Sequence, residues 1–110
     1  MAVSRDSLPE GLLSDVENYL NITWSDEATN ANISGLIASG MMYLNSKLGA
    51  EADYTLDGFP RTLLMEYVRY ARDSALDVFE NNYQALILGM QNERLVSSYG
   101  DSVESADPAN

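Results

Sequence analysis

The chain has 110 residues, 45% of them hydrophobic and 21% charged, which suits one soluble domain with its own core. It contains no Cys and no His, which excludes Cys/His zinc sites, disulfides, thiol nucleophiles and any Ser-His-Asp arrangement. Six Lys and Arg against 17 Asp and Glu leave a net charge of −11, so neither DNA nor an anionic membrane is an expected tight ligand.

Residues 1–6 lack the apolar run of an export signal, and the longest apolar stretch, 85–90, is too short to span a bilayer. The chain therefore reads as intracellular, and the Asn-x-Ser/Thr matches at Asn21 and Asn32 read as chance. The spacing predicts a first helix over 9–20. Ser7 is its expected N-cap, Pro9 suits the first turn, and Glu10 complements the positive helix end. Leu12, Leu13, Val16, Tyr19 and Leu20 form its amphipathic stripe.

A second helix is predicted over 27–48, capped by Ser25 or Asp26 and closed by Gly49 at C′. Ile33, Leu36, Ile37, Gly40, Met41, Leu44 and Leu48 make its core stripe. The opposite face, Gly35, Ala38, Ser39, Met42, Asn45 and Ser46, is small and uncharged, and no charge occurs between residue 28 and Lys47. A solvated face in so acidic a protein would carry Glu or Lys. Two readings stay open: a neutral or interior helix, and a subunit interface through Gly35, Ser39 and Met42.

Residues 50–60 read as a loop. Asp53-Tyr54-Thr55-Leu56-Asp57-Gly58 begins like a calcium loop, but position twelve is Leu64 instead of Glu and Pro60 interrupts. A turn at Asp57-Gly58 is the expectation, with no metal and no cofactor. The third helix is predicted over 60–80, with Leu64, Tyr67, Val68, Ala71, Ala75, Val78 and Phe79 along one side. Asp73, Asp77 and Glu80 lie across from them as an acidic stripe, which a solvated face would also explain. Asn81-Asn82 are expected to bend or break the chain before a fourth segment over 83–96.

The stripe of that segment is Tyr83, Leu86, Ile87 and Met90, while Leu88 and Leu95 point elsewhere; it carries more apolar surface than one stripe uses, and Gly89 weakens it as a free helix. Leu86, Ile87, Leu88 and Met90 are accordingly candidates for docking on another protein. Residues 97–110 are polar and acidic and read as a disordered tail. The expected architecture is all-α, a small bundle of three to four helices in one domain over 1–96. No catalytic residue is assigned, because the acids lie along exposed faces and no phosphate-binding loop occurs. Trp24 and the tyrosines read as core and edge residues.

Several strings resemble, in order, the head–tail connector (adaptor) proteins of tailed bacteriophages. They are Val16-Glu17-Asn18-Tyr19-Leu20-Asn21-Ile22-Thr23-Trp24 with Asp26-Glu27, then Met42-Tyr43-Leu44-Asn45. Gly58-Phe59-Pro60-Arg61-Thr62-Leu63-Leu64, Tyr67-Val68-Arg69-Tyr70-Ala71-Arg72 and Ala75-Leu76-Asp77-Val78-Phe79-Glu80 follow, with Tyr83-Gln84 after them. The resemblance covers roughly residues 12–96 and leaves 97–110 unmatched.

It implies a non-enzymatic structural protein of the virion, present in the host cytoplasm during assembly. Such proteins form a ring, usually a dodecamer, beneath the portal protein, and whether this chain is a monomer when free stays open. The ring extends the DNA channel and supports tail or stopper proteins; DNA passes without being gripped, and no membrane is involved. On that reading Asp73, Asp77 and Glu80 face the channel, while Leu86, Ile87, Leu88 and Met90 dock on the portal or a neighbour. Two other readings compete: an acidic DNA mimic that inhibits a basic protein, and a helical interaction domain of another kind.

Overall fold

The computed structural model describes residues 7–22 and 26–106, with side chains described as far as Val96. Four helices follow one another: α1 (Leu12–Tyr19), α2 (Glu27–Leu48), α3 (Phe59–Arg72) and α4 (Leu76–Ala106). No strand occurs among the described residues, and the all-α architecture matches the sequence pattern. Trp24, Ser25 and residues 107–110 lie outside the described part.

Local chemistry sets most boundaries. The N-cap of α1 is Gly11 at φ 82, so the helix begins later than Ser7 and Pro9 suggest; residues 9–12 form a turn closed by Leu12 N–H on the Pro9 carbonyl at 3.1 Å. The Asp26 carboxylate accepts the Thr29 N–H at 2.7 Å and starts α2. That hydrogen bond holds the Asp26 carboxyl below the ordinary carboxylate range. Gly49 at φ 78 closes α2, as expected. Gly58, with Pro60 in the first turn, opens α3.

The end of α3 corrects the sequence reading. A helix over 60–80 was the expectation, yet α3 stops at Arg72 and the chain turns through Asp73, Ser74 and Ala75. Ser74 adopts φ 55; its N–H bonds the Ala71 carbonyl at 3.1 Å, and the Ala75 N–H bonds that of Tyr70 at 2.9 Å. This is the doubly hydrogen-bonded helix stop usually built on Gly, made here with Ser. Asn21 at φ 61 ends α1 in the same way, with Asn21 N–H on Asn18 and Ile22 N–H on Glu17. Asn81 and Asn82, expected to break the chain, lie inside the uninterrupted α4. Both are exposed, where an Asn costs a helix only a fraction of a kcal/mol.

One core joins all four helices: Leu12 and Val16 from α1, Ile33, Ile37 and Leu44 from α2, Leu63, Leu64 and Val68 from α3, Phe79, Ile87 and Met90 from α4. Each such side chain stabilises the fold by roughly 1.5–3 kcal/mol through burial. The α2–α3 crossing is tight at Gly40, where a Cβ would stand 2.8 Å from both Leu64 Cδ1 and Tyr67 Cδ1. Phe79, fully buried, is the aromatic hub: Tyr83 stacks on it at 5.2 Å, and Tyr67, Tyr70 and Tyr43 meet it at 5.6, 6.1 and 6.3 Å.

Tyr54 plugs the core from the 50–58 loop at 1% exposure. Its hydroxyl donates to Asn45 Oδ1 at 2.7 Å, and the same oxygen accepts the Ala52 N–H at 3.1 Å. At 31 residues, α4 is about 46 Å long. Its backbone stays helical through Ala106, across the point where the sequence places the start of the acidic tail. Residues 92–96 are exposed on every side, so α4 outruns the other helices. No helix among the described residues is long and apolar enough to cross a membrane.

Candidate functional site

The outward face of α2 is the first candidate. Ser39 and Met42 are exposed, Met42 at 44%, and a Cβ on Gly35 would meet nothing within 4 Å. These three residues therefore share one open, uncharged face. Ala38 and Asn45, read from the sequence onto the same face, are instead buried, so the interior reading holds for those two and the exposed part of the face is narrower than expected. The glycine that lets two helices approach within the subunit is Gly40, not Gly35.

The acidic stripe does not exist as one helix face. Asp73 sits in the turn after α3, whereas Asp77 and Glu80 belong to α4. The intervening stop at Ser74 breaks the periodicity that had aligned them. Glu80 also has an internal role, accepting the Tyr43 hydroxyl at 2.6 Å and so tying α4 to α2. Burial and that carboxylate push the Tyr43 hydroxyl pKa upward.

The docking group also divides. Ile87 and Met90 are core residues at 7% and 3% exposure, and Leu86 packs partly buried against them. They are consumed by the fold and offer nothing to a partner. Only Leu88, at 53%, faces outward. Seven residues on, Leu95 continues its line at 64% exposure, beside Val96 at 72%. The outward position of Leu88 and Leu95 agrees with the sequence pattern, which sets both off the stripe, but Leu95 and Val96 were not among the docking candidates. Gly89 has a packing role: a Cβ there would come within 3.2 Å of the Phe59 ring.

Two ties hold these faces in place. Gln91 donates to the Lys47 carbonyl at 2.8 Å, pinning α4 to the end of α2, and the Lys47 ammonium lies 5.4 Å from the Tyr43 ring centre. Between α2 and α4 an open groove of about 360 Å³ is lined by Tyr43, Lys47, Glu80, Gln84, Leu88 and Gln91. On the other side, Arg61 bonds Asp15 and the Tyr54 carbonyl, both at 3.0 Å, joining α1 and the loop to α3. The Tyr19 hydroxyl donates to Glu66, a second link between α1 and α3. Among the described residues, no three acidic side chains converge as metal ligands would. No protein-family model, no curated protein and no solved structure matches the chain.

Proposed function

We propose that this protein is a structural head–tail connector of a tailed bacteriophage, assembling as a ring below the portal so that DNA passes through and tail or stopper proteins attach. The observation that carries the reading is the pair of exposed, charge-free helix faces on α2 and α4 in a chain of net −11. A ring of identical copies needs two different lateral surfaces on each copy, and patches without charge are where copies of net −11 meet with little electrostatic cost. The ordered strings that resemble connectors support it, and the remaining acidic surface suits a conduit that must not hold its cargo.

The test is mass by light scattering, for the protein alone and mixed with portal rings. A monomer that adds as a closed set of copies to the portal is the expected result. Absence of portal binding, together with salt-sensitive one-to-one binding to a basic nuclease or repressor, would instead establish the DNA-mimic reading.

A further inference from the structure

We infer that Asp57 is a modification site: in the folded chain its side chain closes a cyclic imide with Gly58, which opens to an isoaspartyl linkage. The inference goes beyond the connector reading and needs no partner. Asp57-Gly58 is the only Asp-Gly pair in the sequence, which contains no Asn-Gly. It lies in an exposed bend between Tyr54 and α3, and the Asp57 side chain is fully exposed. The imide forms when the backbone nitrogen of residue 58 reaches the Asp57 Cγ, and a side chain on residue 58 would hinder that approach. The fold requires glycine there, since Gly58 holds φ 152 and ψ −174 as the N-cap of α3, where L side chains are rarely found. The residue that opens α3 is thus also the one that leaves Asp57 open to attack. No backbone carbonyl among the described residues accepts the Gly58 N–H. Arg61 Nε stands 3.9 Å from Asp57 Oδ1, but the guanidinium is committed to Asp15 and the Tyr54 carbonyl, and so exposed a pair holds the carboxylate weakly.

Other sites of suitable sequence are guarded by the fold. The Ser74 N–H donates to the Ala71 carbonyl at 3.1 Å, which keeps that nitrogen from the Asp73 carboxyl. Asn45 is 2% exposed, its Oδ1 accepts the Ala52 N–H and the Tyr54 hydroxyl, and Ser46 lies inside α2. The step at Asp57 needs no reagent but water. The Gly58 nitrogen bonds to Cγ of the protonated carboxyl, the Cγ–OH bond breaks, and the hydroxyl leaves as water with the amide proton. Water then adds at the Asp57 main-chain carbonyl and breaks its bond to the Gly58 nitrogen. The main chain now runs through Cβ and Cγ, one methylene longer, and the former main-chain carbonyl is a free carboxylate. Mass and charge are unchanged. The change falls directly before Gly58, whose carbonyl accepts the Thr62 N–H at 3.1 Å, so it lands on the entry to α3.

The test holds the full chain beside synthetic peptides of residues 53–62 and 69–78, at mildly acidic pH and body temperature, with the helical signal of the chain followed throughout. Isoaspartate is located by electron-transfer fragmentation and counted with a methyltransferase specific for it. An exposed bend opens at almost no free energy, so Asp57 in the folded chain should react within about tenfold of its peptide. Asp73 should be slower in the folded chain than in its peptide by about fivefold or more, because the Ser74 N–H must first leave its hydrogen bond. Asp57→Glu, whose ring would be larger, should remove the product, and Asp57→Asn should release ammonia at the same linkage. A folded-chain rate at Asp57 more than about tenfold below the peptide's would show that the bend protects it and overturn the assignment. Isoaspartate arising first at another residue would overturn it too, and so would peptide-like rates at both Asp57 and Asp73, which would mean that the chain reacts unfolded.

Discussion

Replacing Gly40 and Gly35 by Ala, one at a time, makes the same chemical change twice on one helix and should give opposite signs. Both lie inside α2, where Ala is favoured over Gly by about 1 kcal/mol through helix propensity alone. At Gly35 the new methyl meets nothing within 4 Å, so the full gain should appear. At Gly40 the methyl would stand 2.8 Å from Leu64 Cδ1 and from the Tyr67 ring, well inside contact distance. Leu64 is fully buried, and the Tyr67 ring is flanked by Tyr43 at 5.5 Å and Phe79 at 5.6 Å, so neither can withdraw freely. Overpacking of this kind costs about 1–3 kcal/mol, which exceeds the propensity gain. Thermal unfolding, followed by circular dichroism at a concentration where light scattering gives the single-chain mass, reads the difference. Gly35→Ala should raise the midpoint by roughly 4–8 °C, and Gly40→Ala should lower it by a similar amount. Equal midpoints, or a more stable Gly40→Ala, would refute the tight α2–α3 crossing.

Ser74→Gly should stabilise the fold by about 0.5–1 kcal/mol in urea unfolding, because Ser74 holds φ 55 without the freedom of glycine. Phe79→Ala should cost about 3–5 kcal/mol and abolish most near-ultraviolet circular dichroism, since Phe79 is fully buried among four tyrosines. Burial raises the pKa of Tyr54, Tyr67 and Tyr43, and burial with a Tyr70 hydrogen bond pushes Tyr83 up to about 12. A tyrosine raised in the fold keeps its proton after the unfolded chain has lost it near pH 10, so its contribution is complete below pH 10 and falls as pH rises. Stability measured in urea should therefore decline steeply between pH 10 and 12, and a flat profile would contradict the burial of these hydroxyls. A chain ending at Gln91 should keep a cooperative melt, because Phe79, Ile87 and Met90 remain; loss of the melt would place residues 92–106 in the core.

Helix content and the apolar stripes were legible because they depend on local spacing. Leu12 and Val16, Ile33, Ile37, Met41 and Leu44, and Leu64, Tyr67 and Val68 point inward as the period of 3.6 requires, whereas Tyr19 and Val78, read onto the same stripes, are exposed at 43% and 41%. Asp26 and Gly49 were legible as well, since each has a side-chain or backbone property suited to its end of α2. The stop at Ser74 was not. A serine in the left-handed region leaves no compositional mark, and the apolar period continued across it from Ala71 to Ala75 and Phe79. The acidic stripe was an artefact of that continuity. Tyr54 was missed for another reason: it is surrounded by polar turn residues, and only the tertiary fold brings it to Asn45.

The candidate surface was half legible, and the divided half is instructive. Leu86, Ile87, Leu88 and Met90 form one apolar cluster in the sequence, but 100° steps around a helix spread such a cluster over two sides. The side at Ile87 and Met90 is claimed by the core, which leaves Leu88 and, one heptad on, Leu95. The distribution of charge then accounts for the rest. Arg61 joins α3 to Asp15 of α1, whereas Arg69 lies 3.2 Å from Glu66 within α3 and Lys47 leans over Tyr43 within α2. Carboxylates outnumber cations 17 to six in the chain, and the surface carries that excess. Among the described residues, the outward positions Gly35, Ser39 and Met42 on α2 and Leu88 on α4 carry no charge.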